Sequence, residues 1–496
     1  MTRSIRMLAL IPALAAGVAW APSVEAVPAM QEVSVAWDAQ ELSREVDVLF
    51  QGWHRPDSPG AAVLVIHDGH VVHRAGYGMA SLEHGVPIGP HTVFDIASIS
   101  KQFAAWAVAV LDARGALSLD DDVRTHIPEL PDFGHIITLR HLVHHTGGLR
   151  DWPGTLGMAG WGYEDVLSFD QILRMAFHQR DLNFAPGEAY AYSNTGYNLL
   201  AEVVARVGGP TFREWMEREL FRPLGMERTH FHDDHTEVIQ DRAESYRPGP
   251  EGGWRRVTNN LTALGSSSLF TTVEDLARWV AYLHDPEPHE ADRVGAPGVV
   301  ERMHERGVLN DGDTIGYAFG QNWGVYRGLR MATHGGSWAG FRTVLQRYPD
   351  QDFAVIILAN TANMNPSALA REIADLYLDE EMAPPLVAEA GSEGAAGAGE
   401  AEEDEPWRPG PEELGEYVGV YRAAEFPSEY RVEVIGSGLL ARHFRTGDRP
   451  MQPVAPDRFQ APGFGQVIFE RDDAGTVIGF TANSARIRGL RFERVP

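Results

Sequence analysis

Of the 42 Lys and Arg residues in this 496-residue chain, one is lysine, Lys101, and the rest are arginine. Arginine keeps its proton inside a protein, whereas a buried lysine can give its proton up. A lysine kept where arginine is otherwise universal points to a task that needs a free amine. Ser98 stands three residues earlier, in Ser98-Ile99-Ser100-Lys101. The run 99–113 reads as an apolar helix, and positions three apart share a helix face, so Ser98 Oγ and Lys101 Nζ can meet. That pairs a hydroxyl nucleophile with an amine base. The helix N-terminus would also offer the Ser98 backbone N–H to a developing oxyanion.

Two further motifs follow in the chain. In Tyr192-Ser193-Asn194, a tyrosine hydroxyl near Ser98 could relay or accept the proton. The Asn194 amide could hold both Lys101 and a substrate carbonyl. The turn-forming Pro186-Gly187-Glu188 before the triplet and a predicted helix after it put the triplet on a loop. In His334-Gly335-Gly336-Ser337, a glycine lets a strand approach the substrate closely, and Ser337 N–H is a candidate second oxyanion donor. His67-Asp68-Gly69 and His145-Thr146-Gly147 fit the same pattern. Only His334 follows the tyrosine and ends a predicted strand. His141, His144 and His145 read as packing and turn residues. Trp338 reads as core or as a wall of the pocket.

In this order the motifs Ser98-x-x-Lys101, Tyr192-x-Asn194 and His334-x-Gly336 resemble the serine β-lactamase and penicillin-binding-protein superfamily. The likeness is greatest to its class C-like branch, in which tyrosine leads the second motif. Residues 138–149, Pro223-Leu224-Gly225-Met226 and His334 through Phe341 extend the resemblance over roughly residues 40–380. It implies an α/β (α+β) fold, a helical region beside a helix-flanked antiparallel sheet, with the site between them. It also implies an acyl-enzyme route. Ser98 attacks a carbonyl, Lys101 and Tyr192 move protons, Ser98 and Ser337 N–H groups hold the oxyanion, and Asn194 and His334 line the pocket. The chain departs from the pattern at His334, where β-lactamases and most penicillin-binding proteins carry lysine or arginine to engage a substrate carboxylate. Histidine is largely neutral at pH 7 unless its pKa is raised. The departure favours an ester or amide hydrolase, resembling esterase and D-aminopeptidase members, with D-amino-acid peptides and β-lactams still open as substrates. No cofactor or metal enters this chemistry.

Two rival readings stand beside it. His230-Phe231-His232-Asp233-Asp234-His235 fits H-x-H-x-D-H, a zinc-hydrolase pattern that would use His230, His232, Asp234 and His235. Its setting argues against it, because the stretch follows a helical segment and reads as a polar loop. The other rival is a penicillin-binding-like sensor that acylates once without turnover.

The elements that must position these groups can be sketched from pattern. Helices are expected over 38–55, 99–113, 194–207, 210–220, 272–284 and 366–378. Strands are expected over Ala61 to Ile66, His70 to Tyr77, Leu329 to His334, Phe341 to Tyr348 and Phe353 to Asn360. Sequential strands joined by short turns suggest an antiparallel sheet with helices packed on it. Together these span a hydrolase domain over 38–381. Residues 382–410, rich in Ala, Gly, Glu and Pro, read as an acidic linker. Residues 411–496 alternate apolar and polar, as in Tyr430 to Ile435 and Val477 to Ala482, and read as a small all-β domain. With no motif beyond Met382, that domain is expected to stand outside catalysis. Residues 1–26, with Arg3 and Arg6 before an apolar run and small residues after it, have the layout of a cleaved signal peptide. Export, to the periplasm or beyond the cell, follows, with no stable membrane span after cleavage. The net charge of −27 is repelled by nucleic acid and anionic membrane surfaces. The absence of cysteine excludes disulfides, thiolate catalysis and Cys-ligated zinc. The expected partner is a small-molecule or peptide substrate. Oligomeric state is not legible.

Overall fold

The computed structural model describes residues 37–287, 294–384 and 407–496. The expected signal peptide and most of the expected linker lie outside the described residues.

An antiparallel sheet of six strands organises the larger part. Its strands are β1 (Ala61–His67), β2 (His70–Tyr77), β3 (Asn322–Tyr326), β4 (Leu329–Trp338), β5 (Phe341–Tyr348) and β6 (Phe353–Ala359), in the spatial order β3-β4-β5-β6-β1-β2. The two ends of this larger part meet at the sheet's centre, where β1 pairs with β6 from Ala61↔Ala359 to His67↔Phe353. Both central strands are apolar at nearly every position because both faces are covered. Val63, Val65, Val355 and Ile357 pack with Val46 and Phe50 of α1 (Trp37–Phe50) and Ile373 of α5 (Pro366–Leu378). Ala62, Leu64, Ile356 and Leu358 face the other way, into the larger core that holds α2 (Ser100–Ala113), α3 (Asn194–Gly208) and α4 (Val273–His284).

Helix α2 is central to the site. Ser100 through Leu111 are all buried, so the helix is apolar all round and alanine-rich, as a helix enclosed on every side must be. Helix α4 starts where Thr272 Oγ1 accepts the Asp275 N–H at 3.1 Å. Helix α5 starts at Pro366, with Asn365 as cap, over the expected residues. Helix α1 stops at Phe50, short of the expected residue 55 and ahead of Gly52 and Pro56. Strand β4 is longer than expected. Its pairing with β5 continues through Gly336↔Thr343 to Trp338↔Phe341, so the His-Gly-Gly-Ser motif lies inside a strand rather than after one.

The C-terminal part is a closed antiparallel barrel of eight strands, from Gly419–Ala423 to Ile487–Arg494, with the first strand paired to the last. The period-two alternation fills its interior with Tyr421, Tyr430, Phe459, Phe469, Phe480 and Phe492. Eight strands enclose just enough room for such side chains. The barrel sits on the larger part through a buried ion pair, Arg150 Nη1 to Glu425 Oε1 at 2.5 Å. Tyr430 Oη also donates to Met158 O at 2.7 Å. No helix among the described residues is long and apolar enough to cross a membrane.

Candidate active site

The nucleophile candidate sits on a strained turn. Phe94–Asp95 pairs with Leu269–Thr271, and the chain then bends at Ala97, whose φ is +48°. Only surrounding contacts keep a residue with a Cβ in that conformation. Asp95 Oδ1 accepts the Ala97 N–H at 2.8 Å, and Ser100 Oγ donates to Ala97 O at 2.5 Å. Asp95 is fully buried, which pushes its carboxyl up to about 6, against the pull of its bonds to Ala97 and Asn259. The turn continues as a 3₁₀ segment, Ala97–Ile99, directly into α2. Ser98 therefore lies at the head of a buried helix, half-buried and facing a cavity of about 790 Å³.

Lys101 is fully buried one turn on. Its Nζ lies 3.3 Å from Ser98 Oγ and donates to Asn194 Oδ1 at 2.7 Å and to Ser266 O at 2.6 Å. Burial holds the ammonium well below the usual lysine range. The Asp151 carboxylate opposes this and the Arg486 guanidinium adds to it. Asn194 opens α3, and its backbone N–H and Nδ2 both donate to Asp151 Oδ1, at 2.8 and 2.9 Å. That double grip turns Oδ1 of the amide toward Lys101. Tyr192 covers the amine, with Nζ 4.8 Å from the ring centroid. The Tyr192 hydroxyl is buried facing Ser98 without closing a full hydrogen bond, and burial pushes it far above the usual phenol range. His145 props the loop from behind. Its Nδ1 accepts the Ser193 N–H at 3.1 Å, and its ring lies 4.3 Å from that of Tyr192.

Strand β4 forms the opposite side. A Cβ on Gly336 would stand 2.2 Å from both Ile96 O and Thr343 Oγ1, so only glycine lets the strand press against the nucleophile turn. His334 is buried between two partners. Its Nδ1 donates to Gly335 O at 2.7 Å and its Nε2 lies 3.2 Å from Tyr317 Oη. Burial first, and then Lys101, push its pKa down to about 3. His334 is not a cation at neutral pH. Ser337 and Trp338 line the cavity, and Trp338 Nε1 donates to Asn259 Oδ1 at 3.1 Å while Asn259 Nδ2 donates to Asp95.

Ser98, Tyr192, Asn194, His334, Gly336 and Ser337 thus line one cavity, with Lys101 buried beside Ser98. Sequence reasoning missed Asp95, Asp151, Asn259 and Arg486. Asp151 and Asn259 act by contact across distant segments, and Asp95 caps the local turn at Ala97 as well as binding distant Asn259, so none is marked by a motif. Arg486 comes from the barrel, which reaches the cavity although it carries none of the sequence motifs. It lies in the turn between the last two barrel strands and lines the cavity. Its guanidinium stands 4.8 Å over the Tyr192 ring, and Nη1 lies 3.1 Å from Asp151 Oδ2. The turn is held by Asn183, which donates to Arg486 O at 3.0 Å and accepts from Arg488 N at 2.7 Å.

The predicted zinc set is not assembled. Asp234 is exposed and accepts from Thr236 N and Oγ1 at 2.8 and 2.6 Å, capping its own turn. Asp234 and His235 do not join His230 and His232; Glu237 does. Burial lowers the pKa of both imidazoles, that of His232 to about 4. None of these residues lines the cavity that holds Ser98.

Comparison with known proteins agrees with this geometry. A family described as Beta-lactamase matches residues 47–380. A D-aminopeptidase of Gluconobacter oxydans is 28% identical over 64% of this chain, which spans 58% of that relative's length. Penicillin-binding protein 4* of Bacillus subtilis is 28% identical over 65% of this chain and 72% of its own. Among solved structures, an octameric penicillin-binding protein homologue from Pyrococcus abyssi superposes with a TM-score of 0.59 at 23% identity. It covers 92% of this chain and 99% of its own.

Proposed function

The chain belongs to the beta-lactamase family, and from that premise we propose that it is an exported serine hydrolase acting through an acyl-enzyme on Ser98. The observation that carries the reading is Lys101, a buried amine held 3.3 Å from Ser98 Oγ, whose hold on its proton is weakened by burial. Ser98 Oγ attacks the carbonyl carbon of an ester or amide as its proton passes to Lys101 Nζ. The oxyanion forms between the backbone N–H groups of Ser98 and Ser337. Collapse breaks the bond to the leaving group, which takes a proton from the Tyr192–Lys101 pair. Water, deprotonated by the same pair, then attacks the acyl carbon and frees Ser98. Asn194 holds Lys101 in line through Oδ1.

The substrate reading follows the charges. His334 is neutral, so it provides no cation for a carboxylate. Arg486 does, from the barrel side, and its guanidinium retains donors beyond the bond to Asp151. We therefore read the preferred substrate as a small ester or amide, D-amino-acid peptides included, with an anionic group at the barrel side of the cavity. The layout of residues 1–26 supports export.

A fluorophosphonate with intact-mass detection, run beside penicillin and a short-chain ester, tests the reading. One adduct mapping to Ser98 and repeated ester turnover are expected. Absence of any adduct, with the Ser98 peptide well covered, would overturn it. A penicillin adduct would favour the cell-wall and β-lactamase branch, and acylation without release would favour the sensor.

A further inference from the structure

The His230–Glu237 stretch plays no part in the chemistry above, yet it holds buried ring nitrogens with no hydrogen-bond partner among the described residues. His230 belongs to the short strand His230–Phe231, paired with Leu269–Thr271. His232 follows one residue later, and its backbone N–H donates to Ser268 O at 2.8 Å. Residues two apart on an extended segment share a face, and here both imidazoles pack on the Phe270 ring, with centroids 6.0 and 4.8 Å away. His232 is 1% exposed, and among the described residues neither of its ring nitrogens has a hydrogen-bond partner; His230 Nε2 is likewise buried and unpartnered among them. Folded proteins leave few buried nitrogens in this state without a reason.

The third group is Glu237. Its Oε2 lies 3.7 Å from His232 Nδ1 and 4.0 Å from His230 Nε2. Those gaps are too long for hydrogen bonds. They suit atoms that share one ion, since ligands bonded at ~2.0–2.2 Å stand ~3.4 Å apart around a tetrahedron. All three ligand atoms lie within 4.8 Å of one another, so small side-chain shifts bring them onto a common centre. The carboxylate is already oriented from outside. Arg213 Nη1 and Nη2 donate to its two oxygens at 2.6 and 2.8 Å, and Asp233 accepts from the same guanidinium at 2.8 Å. Outer partners of this kind commonly aim metal-binding carboxylates.

We propose that His230 Nε2, His232 Nδ1 and Glu237 Oε2 bind one zinc-class divalent ion, with water completing its shell. Two imidazole nitrogens and one carboxylate select Zn²⁺, Co²⁺ or Ni²⁺ over Mg²⁺ and Ca²⁺, which prefer all-oxygen shells. The ion is a brace, not a catalyst, because its ligands do not line the Ser98 cavity. It ties Glu237 back to the His230–His232 strand, which bonds to Ser268 O through the His232 N–H; two residues before Ser268, the Ser266 carbonyl holds Lys101.

The test uses tag-free full-length protein stripped with EDTA and desalted. Zn²⁺ is titrated by calorimetry and Co²⁺ by visible absorption. One equivalent of Zn²⁺ should bind, Co²⁺ should develop the visible bands of a site with nitrogen ligands, and the melting temperature should rise with Zn²⁺ but not with Mg²⁺. His230→Gln and Glu237→Gln, both at half-buried positions, should each weaken binding ~100-fold or more, since outer-shell changes alone cost ~10–100-fold. Ester turnover should survive EDTA. Failure of the wild-type chain to bind one equivalent would overturn the proposal. Binding unchanged in both variants would do the same, by assigning the ion to other histidines.

Discussion

The floor of the cavity and its rim are built in opposite ways. On the floor, Lys101 and Asp95 are fully buried, His334 nearly so, and their partners are fixed by distances of 2.6 to 3.3 Å. On the rim, Tyr163 is 60% exposed and the Arg486 side chain 52%, and Arg486 arrives from a separate barrel. The two meet at Asp151, which holds Asn194 with one oxygen and Arg486 with the other. The difference assigns the tasks. Groups that must lose or move protons are locked away from water, where burial shifts their pKa. On the proposed reading, groups that choose the substrate stay wet, and changing them disturbs the chemistry less than changing the floor.

Changes to the floor should have the largest effects. Ser98→Ala should lower turnover of any substrate by ~10⁴-fold or more, with the fluorophosphonate adduct absent from the intact-mass spectrum. Gly336→Ala should come next. Its Cβ would press on Ile96 O and Thr343 Oγ1, so activity should collapse and stability should fall by about 1–3 kcal/mol in denaturant titrations. Glu425→Gln probes the joint between the two regions. It leaves Arg150 buried without a counter-charge and should cost up to ~3–5 kcal/mol, read as an earlier thermal transition.

A change on the rim should be smaller and selective. Arg486→Ala should raise KM about tenfold for a substrate with a free carboxylate while leaving a neutral ester within twofold. Equal losses on both substrates would dissolve the distinction between floor and rim. The same variant removes a positive charge that disfavours protonation of Lys101, so the lysine pKa rises. Because the reactive amine must be neutral, the acid limb of the neutral-ester pH profile should move to higher pH.

Acid should act mainly through the buried histidines. His334 is held down to about 3, and His232 and His304 to about 4, from an unfolded value near 6.5. Between those limits the unfolded chain binds more protons. Stability is therefore fully present above pH ~6.5 and is lost as pH falls toward 4 and 3. Melting temperature measured from pH 7 to 4 should decline, and a flat profile would contradict the assigned neutral imidazoles.

What could be read from sequence follows the same division. Ser98 and Lys101 are neighbours in the chain, so one helix turn dictates their meeting, and the absence of other lysines marks the pair. Tyr192-Ser193-Asn194 and His334-Gly335-Gly336-Ser337 keep local spacing as well. The central strands were legible because burial on both faces leaves unbroken apolar runs, and the barrel because its alternation is regular. Asp151 and Arg486 were not legible. They are separated by more than three hundred positions, and only the docking of the barrel through Arg150 and Glu425 brings them together. Strand β4 was read too short, ending at His334, because apolar alternation stops at Gly335-Gly336, while in space Gly336 is what lets the strand continue past Ile96. The zinc pattern, argued against from its setting, also named a different ligand set from the cluster the fold assembles. Spacing suggested Asp234 and His235, but the turn points Asp234 at Thr236 and brings Glu237 round instead.

The central claim is that Lys101 acts as a free amine. It is tested most directly by the single-turnover acylation rate of Ser98 with a neutral activated ester, in wild type and in Lys101→Arg, with circular dichroism confirming the fold. The account predicts a loss of ~10³-fold or more, since the guanidinium keeps the charge but cannot take the proton. Acylation by the arginine variant within tenfold of wild type would contradict it.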